Sequence, residues 1–196
     1  MKTVGILALQ GAFREHGQSL IKCGVSVIEV RKLEDLDKCS ALVLPGGEST
    51  TIGKLLNEWN LMDAIIKRVQ EGMPLFGTCA GVILMAKEIK DSNQPRLGLL
   101  DVEVVRNASG RQVDSFEIDL TVEGLDRPFT SVFIRAPYIT EVGTSVEVLS
   151  KHEDKIVMVK QGNLLGCSFH PELTEDLRIH QYFVDMIEEQ EYNNYK

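Results

Sequence analysis

Residues Val4–Leu9 form an unbroken apolar run, too short to cross a bilayer and without the polar alternation of a half-exposed strand. A strand of that kind must be covered on both faces, and a sheet achieves this when helices pack on each side of it. The following segments supply such helices. Phe13–Cys23 has helical spacing through Phe13, Leu20 and Ile21 and stops at Gly24. Val25–Val30 reads as a second strand, and Ala41–Leu44 as a third that ends on Pro45-Gly46-Gly47. Thr51–Trp59 and Leu61–Glu71 read as helices, Leu75-Phe76 as the next strand and Gly81–Lys87 as helix. This alternation predicts a parallel sheet flanked by helices.

The rhythm changes after residue 98. Gly98–Val105, Ser115–Val122, Ser131–Ile134, Val146–Leu149 and Ile156–Val159 read as strands with no long helix between them, which predicts an antiparallel extension. Leu164–Phe169 is a further strand, and Glu175–Tyr192 an amphipathic helix with an acidic end. No repeat, low-complexity tract or linker interrupts the 196 residues, so 1–196 is expected to be one domain.

Composition excludes several functions. With 21 Lys and Arg against 29 Asp and Glu, the net charge is −8 and no basic stripe offsets it, so neither nucleic acid nor an anionic membrane surface is an expected partner. No apolar run approaches the roughly 20 residues of a spanning helix. The first residues lack a signal-peptide cleavage site, and a cytoplasmic protein is expected. The four cysteines, Cys23, Cys39, Cys79 and Cys167, form no C-x-x-C pair and no zinc spacing, which predicts free thiols and no metal.

One of these thiols stands apart. Gly77-Thr78-Cys79-Ala80-Gly81 places G-x-C-x-G between a strand and a helix, a nucleophile elbow with Cys in the place of Ser. The turn sets the sulfur at a helix N-terminus, where partial positive charge favours the thiolate. A Cys nucleophile needs a histidine oriented by a third group. His16 and His180 read as helix-surface residues, and His152 sits in a charged turn. His170 ends an apolar strand, where parallel sheets gather their catalytic groups, and Glu172 can reach back to it across Pro171. An oxyanion could be held by the N–H of Ala80 and by a donor from Pro45-Gly46-Gly47-Glu48-Ser49-Thr50. That loop carries no phosphate-binding G-x-x-x-x-G-K-[ST] pattern.

PGG, G-x-C-x-G and H-P-E, in this order, resemble the class I (triad) glutamine amidotransferases over nearly the whole chain. Leu7-Ala8-Leu9-Gln10-Gly11, PGGEST at 45–50, Gly110-Arg111-Gln112, Ser115-Phe116-Glu117, Phe133-Ile134-Arg135-Ala136-Pro137 and Gln161-Gly162-Asn163 are similar to the glutaminase subunits of pyridoxal 5′-phosphate synthases. The resemblance implies an α/β fold with a flavodoxin-like, mostly parallel central sheet. It implies that Cys79 attacks the carboxamide of L-glutamine, that His170 handles protons, and that Glu172 orients His170. Gly47 and Ala80 would form the oxyanion hole. Gly46, Gly47, Glu48, Ser49, Arg106, Ile134 and Arg135 would bind substrate, with no cofactor. The implied partner is a separate (β/α)₈-barrel synthase in a large hetero-oligomer around a synthase ring, and the glutaminase would be weak without it.

Three other readings stay open on the residues alone. One is the glutaminase of another pathway, such as imidazole glycerol phosphate synthase, against which the PGGEST and GRQ segments speak. Another is a Cys peptidase or chaperone-like protein on the same sheet. The third is a silent binding module, which an intact candidate triad disfavours. Cys167, three residues before His170, is expected to pack rather than react.

Overall fold

The computed structural model describes residues 2–106 and 115–194. In chain order it runs β1 (Thr3–Leu7), α1 (Phe13–Lys22), β2 (Ser26–Val30), α2 (Leu33–Leu36), β3 (Ala41–Leu44), α3 (Ser49–Glu58), α4 (Leu61–Gln70), β4 (Leu75–Thr78), α5 (Ala80–Met85), β5 (Ala86–Ile89), β6 (Leu100–Val105), β7 (Ser115–Leu120), β8 (Phe129–Ile134), β9 (Tyr138–Val142), β10 (Glu147–His152), β11 (Lys155–Gln161), β12 (Leu164–Cys167) and α6 (Arg178–Asn194). A 3₁₀ turn at Pro171–Leu173 joins β12 to α6. The signature Gly110-Arg111-Gln112 lies outside the described residues.

A 10-stranded sheet has the order β2-β1-β3-β4-β12-β11-β9-β6-β5, with β10 paired to β11, and β7 and β8 form a separate two-stranded sheet. The block from β2 to β12 is parallel, as the apolar runs demanded. The strands from β12 through β11 and β9 to β6 are antiparallel, and parallel pairing returns at the β5 edge.

Side-chain alternation explains why the central runs are apolar throughout. Along β3, Leu42 and Leu44 join one core cluster while Ala41 and Val43 join the other. The first cluster is closed by Ile52 and Leu56 of α3 and Leu61 and Ile65 of α4. The second is closed by Leu20 of α1 and Ile179, Phe183 and Val184 of α6. Each fully buried side chain of this size contributes roughly 1.5–3 kcal/mol.

The helix expected over Gly81–Lys87 ends early. It stops at Met85, and Ala86–Ile89 continues as β5 with its middle residues Lys87 and Glu88 exposed. The single turn α2 and the strand β9 are additions to the sequence-based expectation. Three neighbouring strands decide where chemistry can occur. β3, β4 and β12 lie side by side and point the same way, so their carboxyl ends bring the Pro45 loop, Cys79 and His170 to one edge.

Candidate active site

Cys79 follows β4 directly and adopts φ 49°, ψ −105°, a conformation that costs a residue with a side chain about 1–3 kcal/mol. Its backbone N–H donates to Cys167 O at 2.9 Å, which pins the turn to β12. The flanking glycines are required by close approach. A Cβ on Gly77 would sit 2.6 Å from the carbonyl carbon of Gly81, and one on Gly81 would meet Leu44 O. Helix α5 is only six residues long, so few peptide dipoles align behind the sulfur. The main counter-charge must come from a side chain.

His170 supplies it. Its backbone N–H is anchored on Val132 O at 2.8 Å. Pro171 starts the 3₁₀ turn that folds Glu172 back, so that His170 Nδ1 meets Glu172 Oε1 at 2.7 Å. The carboxylate accepts only, so Nδ1 carries the proton and Nε2 is left for the sulfur. Burial alone would lower the pKa of His170. Hydrogen bonding to Cys79 and Glu172, with their negative charge, outweighs it and raises the pKa to about 10. Burial disfavours the charge on Glu172, but His16 and His170 prevail and hold its pKa below the usual carboxylate range. His170 thus favours the imidazolium and Glu172 the carboxylate at neutral pH.

A pocket of about 360 Å³ opens above the sulfur, lined by Gln10, Gly47, Glu48, Ser49, Cys79, Ala80, Ile83, Arg106, Ile134, Arg135 and His170. The expected site residues therefore converge, with one displaced. Gly46 lies behind the pocket wall, where a Cβ would come 2.5 Å from His170 Cε1, so its role is to make room for the imidazole. Glu48 spends its carboxylate on α3, accepting from Thr50 N at 3.2 Å and Thr51 N at 2.7 Å. Burial, the largest single influence, pushes its pKa up, but the bonds from Thr51 and Thr50 together outweigh it and hold the carboxyl below its ordinary value. Arg106 is held by Gln94 Oε1 at 2.7 Å and Thr50 Oγ1 at 3.2 Å, with Glu48 Oε1 at 3.7 Å. Ile134 O stands 4.0 Å from Cys79 Sγ, and Arg135, exposed at φ 45°, turns the chain over the opening.

Two lining residues had no role assigned from sequence. Gln10 Oε1 accepts from Glu48 N at 2.8 Å, tying the loop after β1 to the Pro45 loop, and its signal was the motif around Gln10-Gly11. Ile83 follows from helical spacing, four residues after Cys79 on α5.

The histidines required correction. His16 and His180 are fully buried, not on the helix surface. His16 Nδ1 meets His180 Nε2 at 2.9 Å, and His16 Nε2 lies 3.0 Å from Thr78 Oγ1 and 3.4 Å from Glu172 Oε2. The helices α1 and α6 cover the same face of the sheet, so the polar side of one meets the polar side of the other beneath β4. His152 ends β10 half-buried, with its ring against Phe116 and Phe133. Cys167 is fully buried, and burial, with the charges of Glu172 and Cys79, keeps it a thiol.

The SNO glutamine amidotransferase family matches residues 6–189. The chain belongs to this family. It is 61% identical over 183 residues, 93% of each chain, to the pyridoxal 5′-phosphate synthase subunit PdxT of Pelotomaculum thermopropionicum. It is 56% identical over 185 residues to PdxT of Carboxydothermus hydrogenoformans, covering 94% of this chain and 97% of that one. A solved structure described as a glutamine amidotransferase superposes with a TM-score of 0.90 at 56% identity, covering 94% of this chain and 98% of the other. The chain carries the elbow, the Pro-Gly-Gly loop and the His-Pro-Glu turn at one sheet edge.

Proposed function

We propose that this chain is the glutaminase subunit of a pyridoxal 5′-phosphate synthase, a single amidotransferase domain that hydrolyses L-glutamine to L-glutamate and ammonia. The observation that carries the chemistry is Cys79, held in a strained elbow against a His170 that is itself hydrogen-bonded to Glu172, at the floor of a pocket with a cationic wall.

The Cys79 thiolate attacks the side-chain carbonyl carbon of glutamine. The oxyanion is received by the backbone N–H groups of Gly47 and Ala80. The imidazolium of His170 gives its Nε2 proton to the departing nitrogen, and ammonia leaves a γ-glutamyl thioester on Cys79. His170, now neutral, takes a proton from water, whose oxygen attacks the thioester. Collapse returns the thiolate and glutamate. Glu172 keeps His170 in the Nδ1–H tautomer and balances the imidazolium charge. Arg106 suits the α-carboxylate of glutamine because a guanidinium binds it bidentately, and Arg135 closes the mouth.

Ammonia released into water at neutral pH is mostly ammonium and no nucleophile, so its consumer must dock on the glutaminase. The PdxT relatives support a separate synthase subunit as that partner. We assign it a (β/α)₈ barrel, a ring-shaped hetero-oligomer and a cytoplasmic setting. Among the described residues no helix is long and apolar enough to cross a membrane. The test is glutamate release by the purified chain, alone and with a barrel-type synthase subunit. Activity that rises with the partner and vanishes in Cys79→Ala is expected. Equal turnover with and without the partner would refute the assigned assembly, and none in any mixture would refute the glutaminase.

A further inference from the structure

The back of the catalytic carboxylate poses a question that the triad does not answer. Glu172 has no exposed side-chain surface, yet only one of its oxygens is used by His170. Oε2 has no hydrogen bond of good geometry among the described residues, and a buried carboxylate left half-satisfied is costly. His16 Nε2 lies 3.4 Å from it. We propose that His16 is a positioning residue for the catalytic triad, a neutral imidazole that presents Nε2–H to Thr78 Oγ1 and Glu172 Oε2 and is held in that tautomer by His180. The inference rests on the glutaminase reading above.

The tautomer follows from the contacts. Glu172 Oε2 can only accept, so a lone pair on His16 Nε2 would be repelled and a proton there is attracted. With the proton on Nε2, His16 Nδ1 is an acceptor and must receive Nε2–H of His180, 2.9 Å away. His180 Nδ1 is then the unprotonated end of the chain, and it has no hydrogen-bond partner among the described residues. Burial favours the neutral form of both rings, lowering the pKa of His16 and bringing that of His180 to about 3. The charged or titratable groups that act on His16 are Glu172, His170 and Glu15, besides His180; those on Glu172 are His16 and His170, with Cys167 and Cys79 nearby in the same electrostatic neighbourhood. Phe76 packs edge-on against both rings and keeps water out. The sequence hides this arrangement, since the two histidines are 164 residues apart.

The first arm of the test needs no variant. Imidazole ¹⁵N shifts of the native protein at neutral pH should show His16 and His180 both neutral, with Nε2 protonated and Nδ1 not. A protonated Nδ1 on His16, or an imidazolium, would overturn the proposal. The second arm compares His16→Gln, whose amide nitrogen can stand near the Nε2 position, with His16→Asn, which is too short to reach Glu172. With the synthase partner present, His16→Asn should lower kcat by about 10- to 100-fold, as when other orienting groups are removed, with KM unchanged. Losing the donor makes Glu172 easier to protonate, so the acid limb of kcat should also move to higher pH. His16→Gln should recover most of kcat and the wild-type limb. Unchanged kcat and limb in His16→Asn, or equal losses in both variants with an unmoved limb, would overturn the proposal. Alkylation of Cys79 by iodoacetamide against pH gives the same comparison without glutamine. If wild type alkylates with the expected profile but releases no glutamate, the functional reading fails while the positioning role stands.

Discussion

The two sides of His170 are built differently. Toward the pocket, it shares the lining with groups carried on loops and strand ends: Cys79 in its elbow, the Pro45 loop, Arg106 just after β6 and Arg135 just after β8. Gly47, Glu48 and Arg135 among them are exposed, whereas Cys79 is buried at the pocket floor. Away from the pocket, His170 is backed by Glu172, and behind it lie His16, Thr78 and His180, all buried, with His16 in contact with the other three. On the proposed reading, the front selects and reacts, while the back fixes a tautomer and a charge. Substitutions in front should therefore divide between kcat and KM, whereas those behind should fall on kcat and on pH dependence.

Breaking the front at its centre has the largest effect. Cys79→Ala should lower glutamate release by at least about 10⁴-fold, leaving only the contributions of binding and the oxyanion hole. At the junction of front and back, Glu172→Gln should lower kcat about 10³-fold with little change in KM. The amide keeps the shape but loses the charge that balances the imidazolium, and it sets an N–H₂ or a neutral oxygen against His16. A smaller change of another kind is expected at the pocket wall. Arg106→Ala should raise KM for glutamine about 10- to 100-fold, the loss of one charged hydrogen-bonding partner, with kcat less affected. Steady-state assays with the synthase partner resolve all three.

The back has its own signature in stability. His16 and His180 have lowered pKa values when folded, His180 to about 3, against an ordinary value of 6.5. Below pH 6.5 the unfolded chain binds protons at these sites that the folded chain refuses, so stability falls as pH drops. The slope approaches about 1.4 kcal/mol per pH unit for each histidine. Urea unfolding from pH 7 to pH 5 should show this loss, and His180→Phe should flatten it. His170 acts in the opposite sense. Its raised pKa gives stability that is complete below pH 6.5 and lost as pH rises toward about 10. The smallest effect is expected at the edge of the front. Glu48→Ala removes the cap of α3 and should cost about 1 kcal/mol of unfolding free energy.

The same division decides what could be read from the sequence. Glycine and proline punctuate the front: Pro45-Gly46-Gly47, the glycines around Cys79 and Pro171 each mark a local turn whose chemistry is contained in a few residues. The back is made by tertiary contact. His16 and His180 sit in helical segments whose polar positions ordinarily face water, and nothing local shows that α1 and α6 meet beneath β4. The parallel strands were legible as apolar runs because both faces are covered. β5 was not, because its exposed Lys87 and Glu88 read as a continuation of the helix, and α2 is one turn too short to show a period. Some signature residues serve the scaffold rather than the site. Gln161 bonds Asp101 N and Ser145 Oγ, and Asn163 bonds Val69 O and Met73 O.

The central claim is that Cys79, activated by His170, carries the γ-glutamyl group. The most direct measurement is acid quench of the complete complex turning over glutamine, followed by peptide mass spectrometry across all four cysteines. A glutamyl adduct on Cys79 alone, absent from Cys23, Cys39 and Cys167, is the predicted result. Glutamate release with no adduct on Cys79, or with the adduct on another cysteine, would contradict it.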